Sequence, residues 1–350
     1  MSLIRLVTII ILLPLLFHSG LTAQEQQYRI GCIAFYNIEN LFDTINDPEI
    51  NDEEFLPEGK NEWRGERYRA KLTNLAGVIS QIGDELVKSG PVILGLSEIE
   101  NRRVLEDLVN TPPLDKSGYG IVHFDGPDRR GVDVAMIYQT AHFRVLNSQS
   151  RRLHLASDPD WRTRDQLVVS GLLDGEKIHI IVNHWPSRSG GESKSAPLRE
   201  AAADLCRAIT DSLLSLEPEA KIIIMGDLND NPDDRSLLHH LKARKSREDT
   251  RPGELYNPMY RMYKQEGVGS LAYRDSWSLF DMIIVSHALL GDDYDSFRFY
   301  RARVFNRPYL TQKEGQYKGY PNRTYAGGVY RGGYSDHFPV YIFLMKAVSP

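Results

Sequence analysis

The stretch Ile222-Ile-Ile-Met-Gly-Asp-Leu-Asn229 is a short apolar run that passes directly into a polar cluster. Its β-branched residues favour a buried strand, so Asp227 and Asn229 are expected at the point where this strand ends. Similar apolar runs predict further strands. Together with the first, they cover residues 30–36, 91–96, 132–138, 167–172, 178–182, 222–225, 280–285 and 340–344.

Amphipathic stretches between these runs predict helices. Apolar residues recur at helical spacing from Arg69 to Gly83 and again after Pro197, which is a favourable helix start. Strands that alternate with helices are typical of a sheet covered by helices, an α/β fold. No Pro/Ser-rich linker and no internal repeat divides the chain, so we expect one domain over residues 24–350.

Polar side chains of similar chemistry stand at or beside the ends of most predicted strands. They are Asn37, Asn40, Glu98, Asn183, His184, Asp227, Asn229, Asp281, Ser335, Asp336 and His337. Each one alone is also compatible with an ordinary turn, a helix cap or a buried polar residue. Loops at one edge of a sheet can converge on a single pocket, so their joint occurrence predicts one functional site.

Carboxylate and carboxamide oxygens with no thiol ligand predict a site for a hard divalent cation. Mg²⁺ is the expected ion, with Mn²⁺ and Ca²⁺ as alternatives. Magnesium takes one or two protein carboxylates, keeps its waters and borrows phosphate oxygens, so Glu98 with Asn37, joined by Asp336, would suffice to hold it.

The remaining polar residues suit hydrolysis of a phosphate ester. Asp281 and His337 are a plausible pair, because a carboxylate on one imidazole nitrogen fixes the tautomer and favours the charged ring. Asp227 is then free to orient or deprotonate a water molecule. Asn229 and His184 can donate hydrogen bonds to phosphate oxygens.

Taken together, these motifs resemble the endonuclease/exonuclease/phosphatase superfamily. The resemblance runs from Ile33-Ala-Phe-Tyr-Asn37 to Ser335-Asp-His-Phe-Pro339, and Phe35-Tyr-Asn-Ile-Glu-Asn-Leu-Phe42 is similar to a secreted branch common in Bacteroidetes-type bacteria. It implies a DNase I-like four-layer α/β sandwich of two packed mixed β-sheets flanked by helices. It also implies metal-assisted hydrolysis of phosphodiesters or phosphomonoesters.

The resemblance also implies roles for individual residues. Glu98 matches the metal-binding glutamate of the family, Asn37 the asparagine beside it, and Asp336 an aspartate near the metal. Asp281 and His337 match the dyad that stabilises the transition state or serves as base.

Other matches concern the water molecule and the phosphate. Asp227 and Asn229 match the pair that positions them, and His184 matches the histidine that contacts the scissile phosphate. Arg164 matches an arginine that touches substrate phosphate. Asp133 stands where the family has a polar residue on an inner strand, and a structural role suits it equally.

Charge gives a second indication of substrate. The formal net charge of -5 argues against a protein held to nucleic acid by bulk charge. Residues 298–331, however, contain eight Lys/Arg, one Glu and six Tyr, a composition that suits a phosphate backbone and stacked bases. A Tyr-rich loop with solvated charges is the alternative. Expected substrate contacts are Arg301, Arg303, Arg307 and Lys318, together with Asn40.

Three functions follow from these patterns. The leading interpretation is a secreted, metal-dependent endonuclease whose partner is nucleic acid. The second is a phosphatase or phospholipase C-type hydrolase of inositol phosphates or sphingomyelin. The third is a binding domain without catalysis, which every filled catalytic position argues against. The resemblance favours a monomer.

The N-terminus predicts export. Arg5 precedes an uncharged apolar run at 6–17, and Leu21-Thr-Ala23 offers a small-residue cleavage site, so residues 1–23 read as a signal peptide cleaved near Ala23. An uncut membrane anchor is the alternative. After cleavage we expect no stable membrane insertion. The two cysteines, Cys32 and Cys206, are expected as buried free thiols.

Overall fold

The computed structural model describes residues 26–348. Within this range the strands are β1 (Tyr28–Leu41), β2 (Ile93–Ile99), β3 (Tyr119–His123), β4 (Asp133–Gln139), β5 (Phe143–Arg151), β6 (Gln166–Leu173), β7 (Glu176–His184), β8 (Ile222–Asp227), β9 (Ala243–Arg244), β10 (Leu255–Tyr256), β11 (Leu271–Tyr273), β12 (Ser276–Ser278), β13 (Asp281–Ser286), β14 (Arg298–Val304), β15 (Tyr325–Ala326), β16 (Val329–Tyr330) and β17 (Val340–Ala347). The α-helices are α1 (Gly65–Ile79), α2 (Arg102–Val109), α3 (Glu192–Leu216) and α4 (Met259–Glu266).

Two large sheets form the centre of the fold. The first has the order β14-β17-β1-β2-β4-β3, and the second has the order β5-β6-β7-β8-β13-β10-β9. Both are mixed: β1 runs parallel to β2 and β7 parallel to β8, while β1–β17 and β8–β13 are antiparallel. Helices flank them, so the expected four-layer α/β sandwich is confirmed.

The two sheets pack face to face. A side chain added at Gly95 of β2 would place its Cβ 2.5 Å from the Met225 sulfur on β8, which is closer than real Cβ contacts. Because one sheet covers one face and helices cover the other, central strands are buried along their length, as β1 is from Gly31 to Glu39. This explains why such strands read as continuous apolar runs.

The eight predicted strands are confirmed, with ends that differ by at most five residues. The helix predicted from 69 begins earlier, at Gly65, and the helix predicted to start at Pro197 begins at Glu192, so Pro197 lies inside α3. Strands β3, β5 and β14 were not predicted. They are more exposed, and β5 and β14 carry many polar residues, so they lack a strong apolar signal.

Cys32 and Cys206 are both free and buried, as expected. In the part of the chain that the structure covers, no helix is long and apolar enough to span a bilayer. The predicted signal peptide lies outside the described residues.

Candidate active site

Strand pairing brings the predicted polar residues to one edge of the two sheets. The carboxyl ends of β7 and β8 are in parallel register, with His184 beside Asp227. The antiparallel strand β13 places Asp281 on the other side of Asp227. In the first sheet, β1 and β2 end together near Asn37, and β17 starts beside β1 just after His337.

The buried pair of His337 and Asp281 has the predicted geometry. His337 Nδ1–H donates to Asp281 Oδ2 at 2.7 Å, and the same carboxylate oxygen accepts the hydroxyl of Ser270. Burial disfavours the charged ring, but the carboxylates of Asp281, Asp227 and Asp336 outweigh it and raise the pKa of His337 well above 6.5. The ring is therefore cationic at neutral pH, with Nε2–H free to face a substrate.

Asp227 lies at the centre of the cluster. Its Oδ2 accepts the side-chain amide of Asn37 at 3.0 Å and lies 3.6 Å from His184 Nε2 and 3.9 Å from His337 Nε2. Burial, opposed by His337, raises the pKa of Asp227 to about 6. A carboxylate with that pKa can accept a proton from water near neutral pH.

His184 has the opposite character to His337. Its ring is buried, and burial together with the positive charges of Arg164, Arg130 and His337 lowers its pKa well below 6.5. The ring is therefore neutral. Its Nδ1 is buried without a hydrogen-bond partner among the described residues. A neutral imidazole can donate from one nitrogen to a phosphate oxygen without adding charge.

Asn229 is held in place beside Asp227. Its N–H donates to Asp227 Oδ1 at 3.0 Å, and its side-chain amide donates to the Trp185 carbonyl at 3.0 Å. Its φ of 52° lies in the left-handed region, which asparagine tolerates better than most residues. One N–H group of the Asn229 side-chain amide is therefore already hydrogen-bonded within the protein.

Two strand irregularities shape the metal side of the cluster. Register shifts occur in β1 after Asn37 and in β2 after Ser97, and Glu39, Asn40 and Glu98 have φ values of 49°, 51° and 63°. Bulges of this kind redirect side chains at strand ends. Here the Asn40 N–H donates to Glu98 Oε2 at 2.9 Å.

The residues predicted to hold the metal are close together, but their contacts differ. Asn37 points its amide nitrogen toward Asp227 and Glu98, and its oxygen accepts the Glu39 N–H at 3.0 Å. Asp336 accepts Arg323 Nη2 at 2.7 Å. Glu98 accepts only two N–H groups, from Asn37 at 3.4 Å and from Asn40 at 2.9 Å, and no cationic side chain hydrogen-bonds it among the described residues. Its two carboxylate oxygens are the type of donor that a hard divalent cation takes.

A second group of metal-type ligands lies at the same place. Ligand atoms of Asp227, Asp281 and His337 all lie within 4.8 Å of one another, and Asp281 Oδ1 is buried without a partner in the described chain. Because the His337 ring is cationic and has no free nitrogen lone pair, only the carboxylates of this group could bind a cation, and Glu98 remains the candidate ligand. Elsewhere, His123, Asp125 and Asp133 form another such group, in which Asp133 also accepts the Gly126 N–H.

Sequence reasoning missed a set of ionic contacts behind the site. Arg323 donates to Glu39 at 3.2 Å as well as to Asp336, and Glu39 is buried. Glu39 also accepts the Thr324 N–H at 2.7 Å and lies 3.8 Å from the buried Lys71 ammonium. Lys71 in turn donates to the Thr324 hydroxyl at 2.6 Å.

This network ties β1, α1 and the chain before β17 together at the active site. Burial raises the pKa of Glu39 and lowers that of Lys71, each opposed by its oppositely charged neighbour. Arg323 lies in the basic segment that the sequence singled out, and Glu39 lies between two predicted residues. Lys71 and Ser270 carry no sequence signal, because their role depends on which distant residues they meet.

Arg164 lies beside His184, whereas the other three predicted substrate arginines lie apart from this cluster. Arg164 is buried and donates to Asp128 at 3.1 Å and to the Trp185 carbonyl at 2.6 Å, so it supports the loop beside His184. Arg301 and Arg303 are on the edge strand β14, and Arg307 is paired with Asp84. Within residues 26–348, none of these four guanidinium groups hydrogen-bonds Glu98, Asp227, Asp281, Asp336 or His337.

Two clefts share Arg323 as a lining residue. A cleft of about 310 Å³ is lined by Arg323 and by tyrosines 273, 317 and 320. A second cleft of about 240 Å³ is lined by Arg323, Glu39, Asn40 and Trp63. Lys318 lies in the turn between two of the tyrosines of the first cleft. Arg323 also donates to Asp336, so it joins both clefts to the cluster.

Comparisons with known proteins give a match to a family model and to solved structures. The model of the Endonuclease/Exonuclease/phosphatase family matches residues 32–346. No curated protein matches the sequence significantly.

Solved structures with the same fold have low sequence identity. An endonuclease/exonuclease/phosphatase family protein from Bacteroides thetaiotaomicron has a TM-score of 0.56 at 17% identity, covering 92% of this chain and 100% of that chain. A mannosyl-6-phosphatase from the same bacterium has a TM-score of 0.54 at 18% identity, covering 90% and 99%. D. rerio TDP2 complexed with single strand DNA product has a TM-score of 0.52 at 14% identity, covering 90% and 98%.

Proposed function

Since the chain belongs to the Endonuclease/Exonuclease/phosphatase family, whose members are hydrolytic phosphoesterases, we propose that it is a metal-dependent nuclease that hydrolyses nucleic-acid phosphodiester bonds. The observation that carries this proposal is the buried cluster of Asp227, His184, Asp281 and His337 beside Glu98, with two nearby clefts that share Arg323.

The donor chemistry supports a divalent cation at Glu98, with Asn37 and Asp336 as its neighbours. A bound cation would neutralise charge on the phosphate and on the leaving oxygen. Mg²⁺ fits carboxylate oxygens and retained waters best, and Mn²⁺ fits the same donors.

The chain's own residues supply the proton acceptor and the hydrogen-bond donors for the reaction. Asp227, with a pKa of about 6, accepts a proton from the attacking water, which then approaches phosphorus opposite the leaving group. The His337 cation, oriented by Asp281, donates through Nε2 to a phosphate oxygen. Neutral His184 and the backbone-anchored Asn229 face the same phosphate.

The two clefts favour a phosphodiester over a phosphomonoester. A diester carries two substituents on the phosphorus, and the two clefts that share Arg323 offer room for both. A neighbour of the same fold binds a single strand DNA product. Another neighbour is a mannosyl-6-phosphatase, so a sugar phosphate is the alternative substrate that the experiment must include.

We further propose that the protein is exported as a monomer after removal of residues 1–23. The charged start, the short apolar run and the Leu21-Thr-Ala23 site support the signal peptide. N-terminal sequencing of protein from a bacterial host's medium or periplasm tests the position of cleavage near Ala23.

The decisive experiment uses the mature chain from Gln24 onward. Nicking of a plasmid and cleavage of single-stranded DNA are measured with Mg²⁺, with Mn²⁺ and with EDTA, and mannose 6-phosphate and inositol phosphates are assayed in parallel. We expect metal-dependent strand cleavage that His337→Ala abolishes. Release of phosphate from the small substrates by folded protein, with intact DNA, would refute the nuclease proposal.

A further inference from the structure

The cleft lined by tyrosines 273, 317 and 320, here called the tyrosine cleft, is not part of the catalytic cluster. We infer that it binds one unpaired nucleobase of the substrate, next to the phosphate that is cleaved. The inference rests on the proposed nuclease function and narrows its substrate to strands with an unstacked nucleotide.

One wall of the cleft is a strained hairpin. Strands β11 and β12 are joined by Arg274 and Asp275 alone, and both residues have left-handed φ values, 49° and 62°. Two-residue turns of this type favour glycine or asparagine, because both residues have positive φ values. An arginine in this turn therefore has an unfavourable backbone conformation that the surrounding contacts must stabilise. The Tyr320 hydroxyl holds the turn, accepting the Asp275 N–H at 2.7 Å and donating to its carboxylate at 2.6 Å.

The hairpin is joined directly to the catalytic pair. Trp277 of β12 stacks on Phe338 with ring centroids 6.0 Å apart, and Phe338 follows His337 in the chain. Phe338 N–H donates to the Ser270 carbonyl at 2.7 Å, while the Ser270 hydroxyl donates to Asp281. A group bound in the tyrosine cleft is therefore positioned relative to the reacting phosphate.

The chemistry of the lining suits a base rather than a second phosphate. Tyr273 and Tyr317 are 68% and 44% exposed, so their rings are accessible for stacking. The Arg274 guanidinium lies 5.2 Å from the centroid of the Tyr273 ring and covers one of its faces. Gln312 and Gln316 bring side-chain amides to the same cleft, and amides can hydrogen-bond the edge of a base. The volume, about 310 Å³, suits one nucleoside-sized group and excludes a duplex.

The charges of the cleft favour a strand over a neutral sugar ring. Arg274 and Arg323 line it with one acidic residue, Asp275. Arg323 is also paired with Glu39 and Asp336, so Arg274 is the guanidinium of the cleft that has no ion-pair partner among the described residues. Arg323 also lines the neighbouring cleft, so a phosphate backbone can pass from one cleft to the other beside this cation. A base inside a duplex is stacked on both faces and cannot enter without being extruded.

The test measures binding separately from hydrolysis. The full mature chain is titrated in EDTA against a fluorescein-labelled single-stranded oligonucleotide and against its blunt duplex, and anisotropy gives each Kd. The variants are Tyr317→Leu and Tyr317→Phe. The control is Tyr28→Leu, at the opposite end of β1, where the tyrosine is 42% exposed and thus matches Tyr317.

We expect Tyr317→Leu to weaken single-strand binding about tenfold, the effect of losing one stacked base, and to leave the weaker duplex binding unchanged. Tyr317→Phe keeps the stacking face, and Tyr28→Leu changes a residue outside the cleft. Both variants should bind the single strand within about twofold of the unmodified protein, because neither loses a stacked base, which is worth about tenfold in affinity.

The inference is overturned if Tyr317→Leu binds the single strand normally or loses single-strand and duplex binding equally. It is also overturned if only the affinity for mannose 6-phosphate falls, which would assign the cleft to a sugar ring. The proposed nuclease function is tested separately, through metal-dependent cleavage of the same oligonucleotide. Its failure would therefore be visible apart from the binding result.

Discussion

Replacement of Asp281 by asparagine tests the central claim that a buried carboxylate keeps His337 charged. The carboxylate is fully buried, and its Oδ2 lies 2.7 Å from His337 Nδ1. Asparagine has nearly the same shape and can still accept this hydrogen bond, but it removes the negative charge. The change therefore isolates electrostatics from packing.

The size of the effect follows from that contact. Opposite charges at this distance attract by about 6 kcal/mol at an effective dielectric constant of about 20, and burial offsets much of this. A charge-assisted hydrogen bond retains about 2 to 3 kcal/mol. If that stabilisation is lost in the transition state, kcat falls about 30- to 150-fold, with little change in KM.

The assay is steady-state hydrolysis of bis(p-nitrophenyl) phosphate with saturating Mg²⁺ at neutral pH. Asp174→Asn is the matched control, because Asp174 also accepts a histidine, His142, at 3.1 Å, but in an exposed pair. It should leave kcat unchanged. If Asp281→Asn has the same kcat as Asp174→Asn, in protein with an unaltered Tm, then the Asp281 carboxylate does not support catalysis through His337.

Three further changes have defined outcomes. Glu98→Gln should raise the Mg²⁺ concentration for half-maximal activity about tenfold or more, read from metal titrations; an unchanged requirement would place the cation elsewhere. Glu176→Gln should lower the unfolding free energy by about 1 to 2 kcal/mol near neutral pH, measured in urea. Burial disfavours the charged form of Glu176, but hydrogen bonds from Lys221 and Lys346 outweigh it and lower the pKa of Glu176 below 4.5. The stability difference between the variant and the unmodified protein should therefore vanish as the pH falls below 4.5 and through this lowered pKa. Asn101→Ala removes the cap that accepts the Val104 N–H at 3.1 Å and should cost about 1 kcal/mol in thermal unfolding.

The local sequence was enough to predict the central strands and the candidate catalytic residues. Buried strands such as β8 are short β-branched runs, and their polar ends stand out because hydrophobic patterning changes abruptly there. The clusters around Asp227, Asp281 and His337 were found for that reason, and the structure places these three side chains together.

Long-range contacts decided what the sequence left open. The composition of segment 298–331 suits either a nucleic-acid surface or a Tyr-rich loop with solvated charges. In the fold its cations are separated: Arg301 and Arg303 lie on an edge strand, Arg307 pairs with Asp84, and Arg323 reaches the active site. The positions of charged residues along the sequence do not show which carboxylates a basic side chain contacts after folding.

What the sequence by itself determined was the α/β class, the order of its strands along the chain and the chemical types of residue available for catalysis. Only the tertiary structure decided that Asn37 turns its amide nitrogen to Asp227 and that Lys71 is buried beside Glu39. The physical reason is that strand patterning is local, whereas bulges, side-chain orientation and buried charge pairs are set by residues tens to hundreds of positions apart that meet only after the two sheets pack.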